Sequence, residues 1–347
     1  MRGPLIRGLA ANVVNYRHLK VAIWLILVLA ALQIGRAEVS QNANYIDPHQ
    51  FAHLAAKPPF QNRILMAPVL LAAEHSQWFA AFHHLLFRKT VDDPLDLVTM
   101  LVNSACLVLL LPITVALRRR VSPQPTTSWL APALMLIVVA FTYVVRYEQR
   151  YTYPYDFLSM LFFNLGLLAI LARRGWLLLV LLAIAIPNRE TALFLVPIWF
   201  WQEWRERRYV AAIVYSVVGV AISIAWFIAI KRILYTPDIP YEFPWYKNLN
   251  ALMGPMHWPQ LMSVFGFLAV PMWFLRGYVT DTRLKAIWLS LVPFVLAALV
   301  VGVWYETRIF GELSVLVGVT FSIQIEAAVS HQRPATRTPA TASSRCR

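Results

Sequence analysis

The sequence predicts an all-α polytopic membrane protein. It should have about ten transmembrane helices, both termini in the cytoplasm, and a long first extracytoplasmic loop carrying interfacial helices. Three observations predict it. The 347 residues are 59% hydrophobic and only 14% charged, with a mean hydropathy of +0.58. Soluble domains are nearer 45–50% apolar and about 25% charged, so a water-soluble fold and a disordered chain are both excluded. Apolar runs recur along the chain, and the loops between them alternate in charge.

The runs lie at about 20–35, 95–117, 128–145, 157–172, 175–187, 190–201, 209–230, 261–275, 286–305 and 309–325. A span needs about 20 mostly apolar residues. The run at 209–230 meets that alone, and several others borrow Trp, Tyr and Arg at their ends. The segments 1–20, 118–127, 173–174, 202–208, 276–285 and 326–347 hold 19 of the 31 Lys and Arg but 4 of the 17 Asp and Glu. The positive-inside rule places them in the cytoplasm. The net charge of +14 is therefore an orientation signal, and nucleic acid is discarded as a partner. Cys106 lies in an apolar run and Cys346 in the tail, so no disulfide framework is expected.

The first run, Val21 to Leu32 with Gly35-Arg36-Ala37 beyond, reads as an uncleaved signal anchor rather than a cleaved leader. The first outer loop, 36–94, contains apolar stretches near 64–73 and 76–87 that are too short to span. They read as interfacial helices, with an extra membrane hairpin as the alternative. Pro187-Asn188-Arg189-Glu190 breaks 175–201 into a hairpin whose short arms leave Arg189 and Glu190 below the outer surface. Residues 1–330 form one transmembrane domain, and 331–347 read as a disordered cytoplasmic tail. No internal repeat, Walker loop or Rossmann glycine pattern is visible.

The outer loops carry nearly all the chemistry. Arg63, Arg146, Arg150, Arg189 and Arg308 supply cations on a face of near-zero net charge. Guanidinium forks bind phosphate bidentately, so their convergence would suit a lipid phosphate or pyrophosphate. The alternative is local pairing with acids. Glu148, Glu190 and Glu306 lie within two residues of an arginine. Asp47 has two readings that can coexist: a general base, and the N-cap of a helix starting at Pro48. His49 and His53, at i and i+4, would share a helix face, but interfacial histidines without a metal are commoner, and no metal is assigned. In the Pro- and aromatic-rich loop 231–260, Tyr241 and Trp245 are candidates for stacking on sugar rings, with an aromatic interface belt as the alternative.

The layout resembles the C-type (GT-C) superfamily of integral-membrane glycosyltransferases. The features that match are the 36–94 loop, Asp47 early in it, and arginines on later outer loops. The runs Phe60-Gln61-Asn62-Arg63-Ile64-Leu65, Tyr155-Asp156 and Asn188-Arg189-Glu190-Thr191 also look like those of uncharacterised bacterial proteins of this general kind. The paired acids frequent in that superfamily are absent around Asp47; Asp92-Asp93 lies at the far end of the loop. The resemblance implies transfer of a sugar from a polyprenyl-phosphate donor to a glycan or lipid acceptor. The site would face the periplasm of a bacterial inner membrane and serve cell-envelope assembly. Asp47 would act as base and Arg63, Arg146, Arg150, Arg189 and Arg308 would hold the phosphate, with Asp156, Glu190 and Glu306 in support. No cofactor is required, although a divalent cation beside Asp47 stays open. The alternatives are a lipid-linked saccharide transporter or flippase, or an oligosaccharide polymerase, neither needing the Asp47 base.

Overall fold

The computed structural model describes residues 4–56, 60–87, 89–122, 127–145, 150–234, 244–304 and 306–332. They are almost entirely helical. Helix α1 (Pro4–Gln41) runs through the first apolar stretch and begins well before it. A two-residue strand β1 (Ala43–Asn44) leads to the short helices α2 (Pro48–Ala52), α3 (Ala67–Glu74) and α4 (Gln77–Leu86). Next come α5 (Pro94–Val121), α6 (Leu130–Val139), strand β2 (Tyr151–Thr152), α7 (Asp156–Leu171), α8 (Gly175–Ala185), α9 (Leu195–Arg205) and α10 (Tyr209–Leu234). The last part holds α11 (Trp245–Met253), α12 (Trp258–Ser263), α13 (Ala269–Phe274), α14 (Thr282–Ser290), α15 (Val292–Val301) and α16 (Ser314–Gln332).

Among the described residues four helical stretches are long and apolar enough to cross a membrane: Arg17–Gln41, Pro94–Val121, Tyr209–Leu234 and Thr307–Ser330. At 1.5 Å per residue α5 rises about 42 Å, against a hydrocarbon core of about 30 Å. Leu130–Val144, Asp156–Leu171 and Gly175–Ala185 are apolar but shorter. Two expected spans are not continuous helices. The run at 261–275 is cut by left-handed backbone at Phe265, Gly266 and Phe267 (φ 62°, 62° and 63°). The run at 286–305 breaks at Leu291, the N-cap of α15, and Pro293 sits in the first turn of that helix, where a missing N–H costs nothing. The break expected at Pro187 is present, with α8 ending at Ala185 and a 3₁₀ turn over Glu190–Phe194 before α9. The tail beyond residue 332 lies outside the described residues.

Glycines set the closest helix contacts. A Cβ on Gly35 of α1 would lie 2.8 Å from the Ser104 backbone of α5. One on Gly318 of α16 would lie 2.7 Å from the Ala131 carbonyl oxygen and 2.8 Å from the Met135 nitrogen of α6. Small residues let helix backbones approach this way inside a bilayer. The obstacles at Gly318 are backbone atoms, so Gly318→Val must separate α6 from α16. We expect a loss of about 1–3 kcal/mol, read as a lower unfolding midpoint in detergent; an unchanged midpoint would show that the contact is slack.

The described residues between α1 and α5 fold back on the bundle. Asp47 caps α2, its Oδ1 accepting the His49 N–H at 2.9 Å ahead of Pro48. The stretches expected as interfacial helices are α3 and α4, and α4 presents Trp78, Phe82, Leu85 and Leu86 outward. A buried cluster of Ile46, Phe51, Leu70, Leu95, Tyr153 and Tyr155 seats the loop on the start of α5 and the approach to α7. β1 pairs in parallel with β2, setting Ala43 opposite Tyr151 and Asn44 opposite Thr152.

At the other end of the bundle, α7 and α9 each close on a left-handed arginine, Arg173 (φ 57°) and Arg207 (φ 60°). Glycine is usual there, and other L-residues pay about 1–2 kcal/mol for the conformation. An ion pair between Arg173 Nη2 and Glu206 Oε2, at 2.6 Å, joins the two turns.

Candidate functional site

Four charged side chains converge where α7 begins. Asp156 occupies the first position of α7. Arg189 reaches it from the break after α8, where extended backbone (φ −162°, ψ 133°) turns the chain. Arg308 and Glu312 come from the 3₁₀ segment Thr307–Leu313 leading into α16. Arg189 Nη1 lies 3.2 Å from Asp156 Oδ1 and 3.1 Å from Glu312 Oε1. Arg308 Nη1 lies 3.9 Å from Asp156 Oδ2, and its Nη2 pairs with Glu306 Oε2 at 2.6 Å. Ser159 and Thr191 hydroxyls donate to Glu312 Oε1 at 2.9 and 2.8 Å. No residue of this quartet is more than 6% exposed. Charges so deep in apolar surroundings must be paired or lost.

A second layer lies toward the surface. Arg63 grips Glu190 with both arms of its fork, Nη2 to Oε1 at 2.8 Å and Nε to Oε2 at 3.3 Å. Its guanidinium sits 4.5 Å above the Tyr155 ring, as Arg308 sits 3.4 Å above Tyr153. The Glu190 carboxylate is 66% exposed while Arg63 is 12% exposed, so the acid forms the outer lip of the pair. Two backbone ties hold this layer: Leu65 N–H to the Pro187 carbonyl at 3.3 Å, and Asn188 Nδ2 to the Tyr155 carbonyl at 3.0 Å. Around the lip Tyr45 meets Tyr151, Phe60 and Tyr153 at centroid distances of 4.8, 5.3 and 5.8 Å. The β1–β2 pairing is what brings Tyr45 to Tyr151.

Several buried polar atoms at this site have no hydrogen-bond partner among the described residues: Asp156 Oδ2, Glu312 Oε2, Arg189 Nε, Arg308 Nη1, Tyr143 Oη and Tyr155 Oη. Most buried polar atoms are satisfied, so a concentration of exceptions marks a place built to meet something else.

Of the residues selected from sequence, Arg63, Arg189, Arg308, Asp156, Glu190 and Glu306 come together. The sequence neighbours Arg189 and Glu190 do not pair with each other: the first turns inward to Asp156 and Glu312, the second outward to Arg63. Glu306 does pair with Arg308. Asp47 is exposed and caps α2, with no ion pair among the described residues. Arg150 is exposed at the entry to β2, where its carbonyl accepts the Ala43 N–H. Trp245 is exposed on α11, edge-on to Tyr246. Arg146 and Tyr241 lie outside the described residues. Sequence reasoning gave no role to Glu312, nor to the tyrosines Tyr45, Tyr151 and Tyr153. It also passed over Glu38, fully buried at the end of α1, whose Oε2 accepts from Asn103 and Thr152 at 2.8 and 2.9 Å.

The histidine pair meets carboxylates. His49 Nδ1 lies 2.6 Å from Glu74 Oε1 and its Nε2 lies 2.9 Å from Asp93 Oδ2, while His53 Nε2 lies 2.9 Å from Glu74 Oε2. Among the described residues no group of three or more His, Cys, Asp or Glu is set to hold a metal ion. Hydrogen bonding to Glu74, and then the charge and hydrogen bond of Asp93, raise the His49 pKa above its ordinary 6.5, against partial desolvation. Glu74 is lowered from 4.5 by the same His49 bond and by His53. A raised histidine contributes stability below pH 6.5 that is lost as pH climbs through its folded value. A lowered carboxylate contributes above pH 4.5 and fades as pH falls through its own. Amide-exchange protection of the 48–93 segment should therefore be greatest between pH 4.5 and 6.5 and decline above it. His49→Gln should abolish that decline; a pH-independent wild type would show that the latch carries no load.

The chain matches no family model, no curated protein and no solved structure.

Proposed function

We propose that the chain is a membrane glycosyltransferase. It takes a sugar from a polyprenyl-phosphate carrier and passes it to a glycan or lipid acceptor at the outer face of a bacterial inner membrane. In this reading the shorter and broken apolar segments complete a bundle of about ten spans. One observation carries the proposal: the inner arginine–carboxylate quartet lies beneath an outer pair, Arg63–Glu190, whose acid is exposed and whose cation lies against Tyr155.

The pair suggests how the site works. A phosphate outcompetes one carboxylate for a bidentate guanidinium when it brings more negative charge. Phosphate binding on Arg63 then frees the Glu190 carboxylate. The acceptor hydroxyl gives its proton to that carboxylate, and its oxygen attacks the anomeric carbon. The bond from that carbon to the phosphate oxygen breaks, and the electron pair leaves with the lipid phosphate, held by Arg63 with Arg308 and Arg189 behind it. A single displacement inverts the anomeric centre. Tyr45, with Tyr151 beside it, offers an exposed face on which a sugar ring can stack. Asp47, two residues beyond Tyr45, is the second carboxylate within this reading, free to keep its capping bond while accepting a proton on the other oxygen. No cofactor is required in this reading, with a divalent cation beside Asp47 as the open alternative.

Titrating polyprenyl phosphate into the purified protein tests the binding half of this proposal. Arg63→Ala should weaken binding about tenfold or more, and Arg150→Ala should leave it unchanged. Equal affinity in wild type and Arg63→Ala would remove the phosphate site from this place.

A further inference from the structure

The left-handed arginine turns lie at the end of α7 opposite the arginine–carboxylate site, about 24 Å away along the helix. A groove of about 510 Å³ opens there, lined by Arg207, Arg208, Tyr209, Val210, Val214 and Tyr215. Two arginines and a largely apolar surface line it. Arg208 is tied to Glu203 at 3.1 Å, whereas Arg207 has no partner among the described residues. The floor is built: the Tyr215 ring lies edge-on to Trp199, 5.3 Å between centroids, and against Gly175, where an added Cβ would come within 2.8 Å of it. Val210 and Val214 are 77% and 50% exposed on a helix whose apolar window is only 11% buried.

Two features meet here. Arg207 occupies a backbone conformation that glycine would adopt without strain, and its position is fixed by bonds from Arg207 N–H to the Trp204 carbonyl and from Arg208 N–H to the Glu203 carbonyl. An unpartnered cation held there by the turn stands directly above an exposed apolar groove. Strain of this kind persists where the surrounding structure uses it. We propose that this groove is a binding site for an anionic phospholipid of the bilayer, its headgroup phosphate on Arg207 and Arg208 and its acyl chains along Val210 and Val214. A soluble anion would use the cations and leave the apolar wall idle. A zwitterionic lipid would use the wall but gain less from the cations.

The test uses the full chain in detergent micelles. Retention of phosphatidylglycerol is compared with phosphatidylcholine of the same acyl chains by native mass spectrometry, and inorganic phosphate is added as competitor. Arg207→Gly suits the test because it removes the cation while relieving the backbone. Wild type should retain phosphatidylglycerol about fivefold better per engaged cation. Arg207→Gly should lose about that factor while its unfolding midpoint without added lipid is equal or higher. Arg207→Lys, which keeps the charge, should retain most of the preference. Equal retention of the two lipids would overturn the proposal. So would an undiminished preference in Arg207→Gly, the same loss in Arg207→Lys as in Arg207→Gly, or complete displacement by inorganic phosphate at equimolar concentration.

Discussion

Arg189→Ala should be the most damaging single substitution in the molecule. It strips the cation from between Asp156 and Glu312, two carboxylates no more than 3% exposed. Arg308 remains, but at 3.9 Å from Asp156 and already committed to Glu306. Breaking a buried ion pair by deleting one partner costs about 3–5 kcal/mol, because the charge left behind has neither water nor a counterion. Ser159 and Thr191 still donate to Glu312, which keeps the loss within that range rather than above it. Expression in folded form should fall, and the unfolding midpoint of what survives should drop by several degrees. Arg189→Lys should recover part of the loss, since one ammonium keeps the charge but cannot span both acids as a fork does. A wild-type midpoint in Arg189→Ala would mean that the two carboxylates find other partners.

Arg63→Ala should separate function from stability. Its partner Glu190 is two-thirds exposed and meets water once the guanidinium is gone, so no buried charge is left uncompensated and the fold should lose less than in Arg189→Ala. Turnover should not survive as well. Removing one preorganised donor to a developing anion costs about 10²–10³ in kcat, and Arg63 is the donor placed at the lip. Glu190→Gln should show the complementary pattern: phosphate affinity kept, chemistry lost. If Arg63→Ala destabilises the protein as much as Arg189→Ala does, the outer pair is a brace and the exchange of carboxylate for phosphate falls with it.

These two arginines show how far the sequence could be read. The break at Pro187 followed from the Pro-Asn-Arg-Glu interruption of an apolar run. The partners did not. Glu190 is the nearest acid in sequence, yet an extended residue at 189 sends consecutive side chains to opposite sides, so Arg189 goes in and Glu190 out. Asp156 and Glu312, 33 residues before and 123 after Arg189, were beyond any local rule. The tyrosine lip had a local signal that went unused. Tyr151, Tyr153 and Tyr155 alternate with period two, as one face of an extended segment must. Asp47 was legible as a cap because Asp-Pro is a helix start. The runs at 261–275 and 286–305 are not continuous helices, which hydropathy could not foresee: it counts apolar residues and is blind to left-handed backbone at 265–267 or to a break at Leu291 ahead of Pro293.

The most direct measurement is turnover by the purified protein in lipid nanodiscs. A panel of polyprenyl-phosphate sugars would be offered with candidate acceptors, and release of free polyprenyl phosphate followed for wild type, Arg63→Ala, Glu190→Gln and Asp47→Asn. Acceptor-dependent release by wild type, with at least a hundredfold loss in Arg63→Ala and Glu190→Gln, is the predicted result. Release that survives Glu190→Gln but not Asp47→Asn would keep the transferase and move its base to the cap of α2. No release from any donor, with saturable polyprenyl-phosphate binding that still needs Arg63, would contradict the transferase and leave a carrier of lipid-linked saccharide in its place.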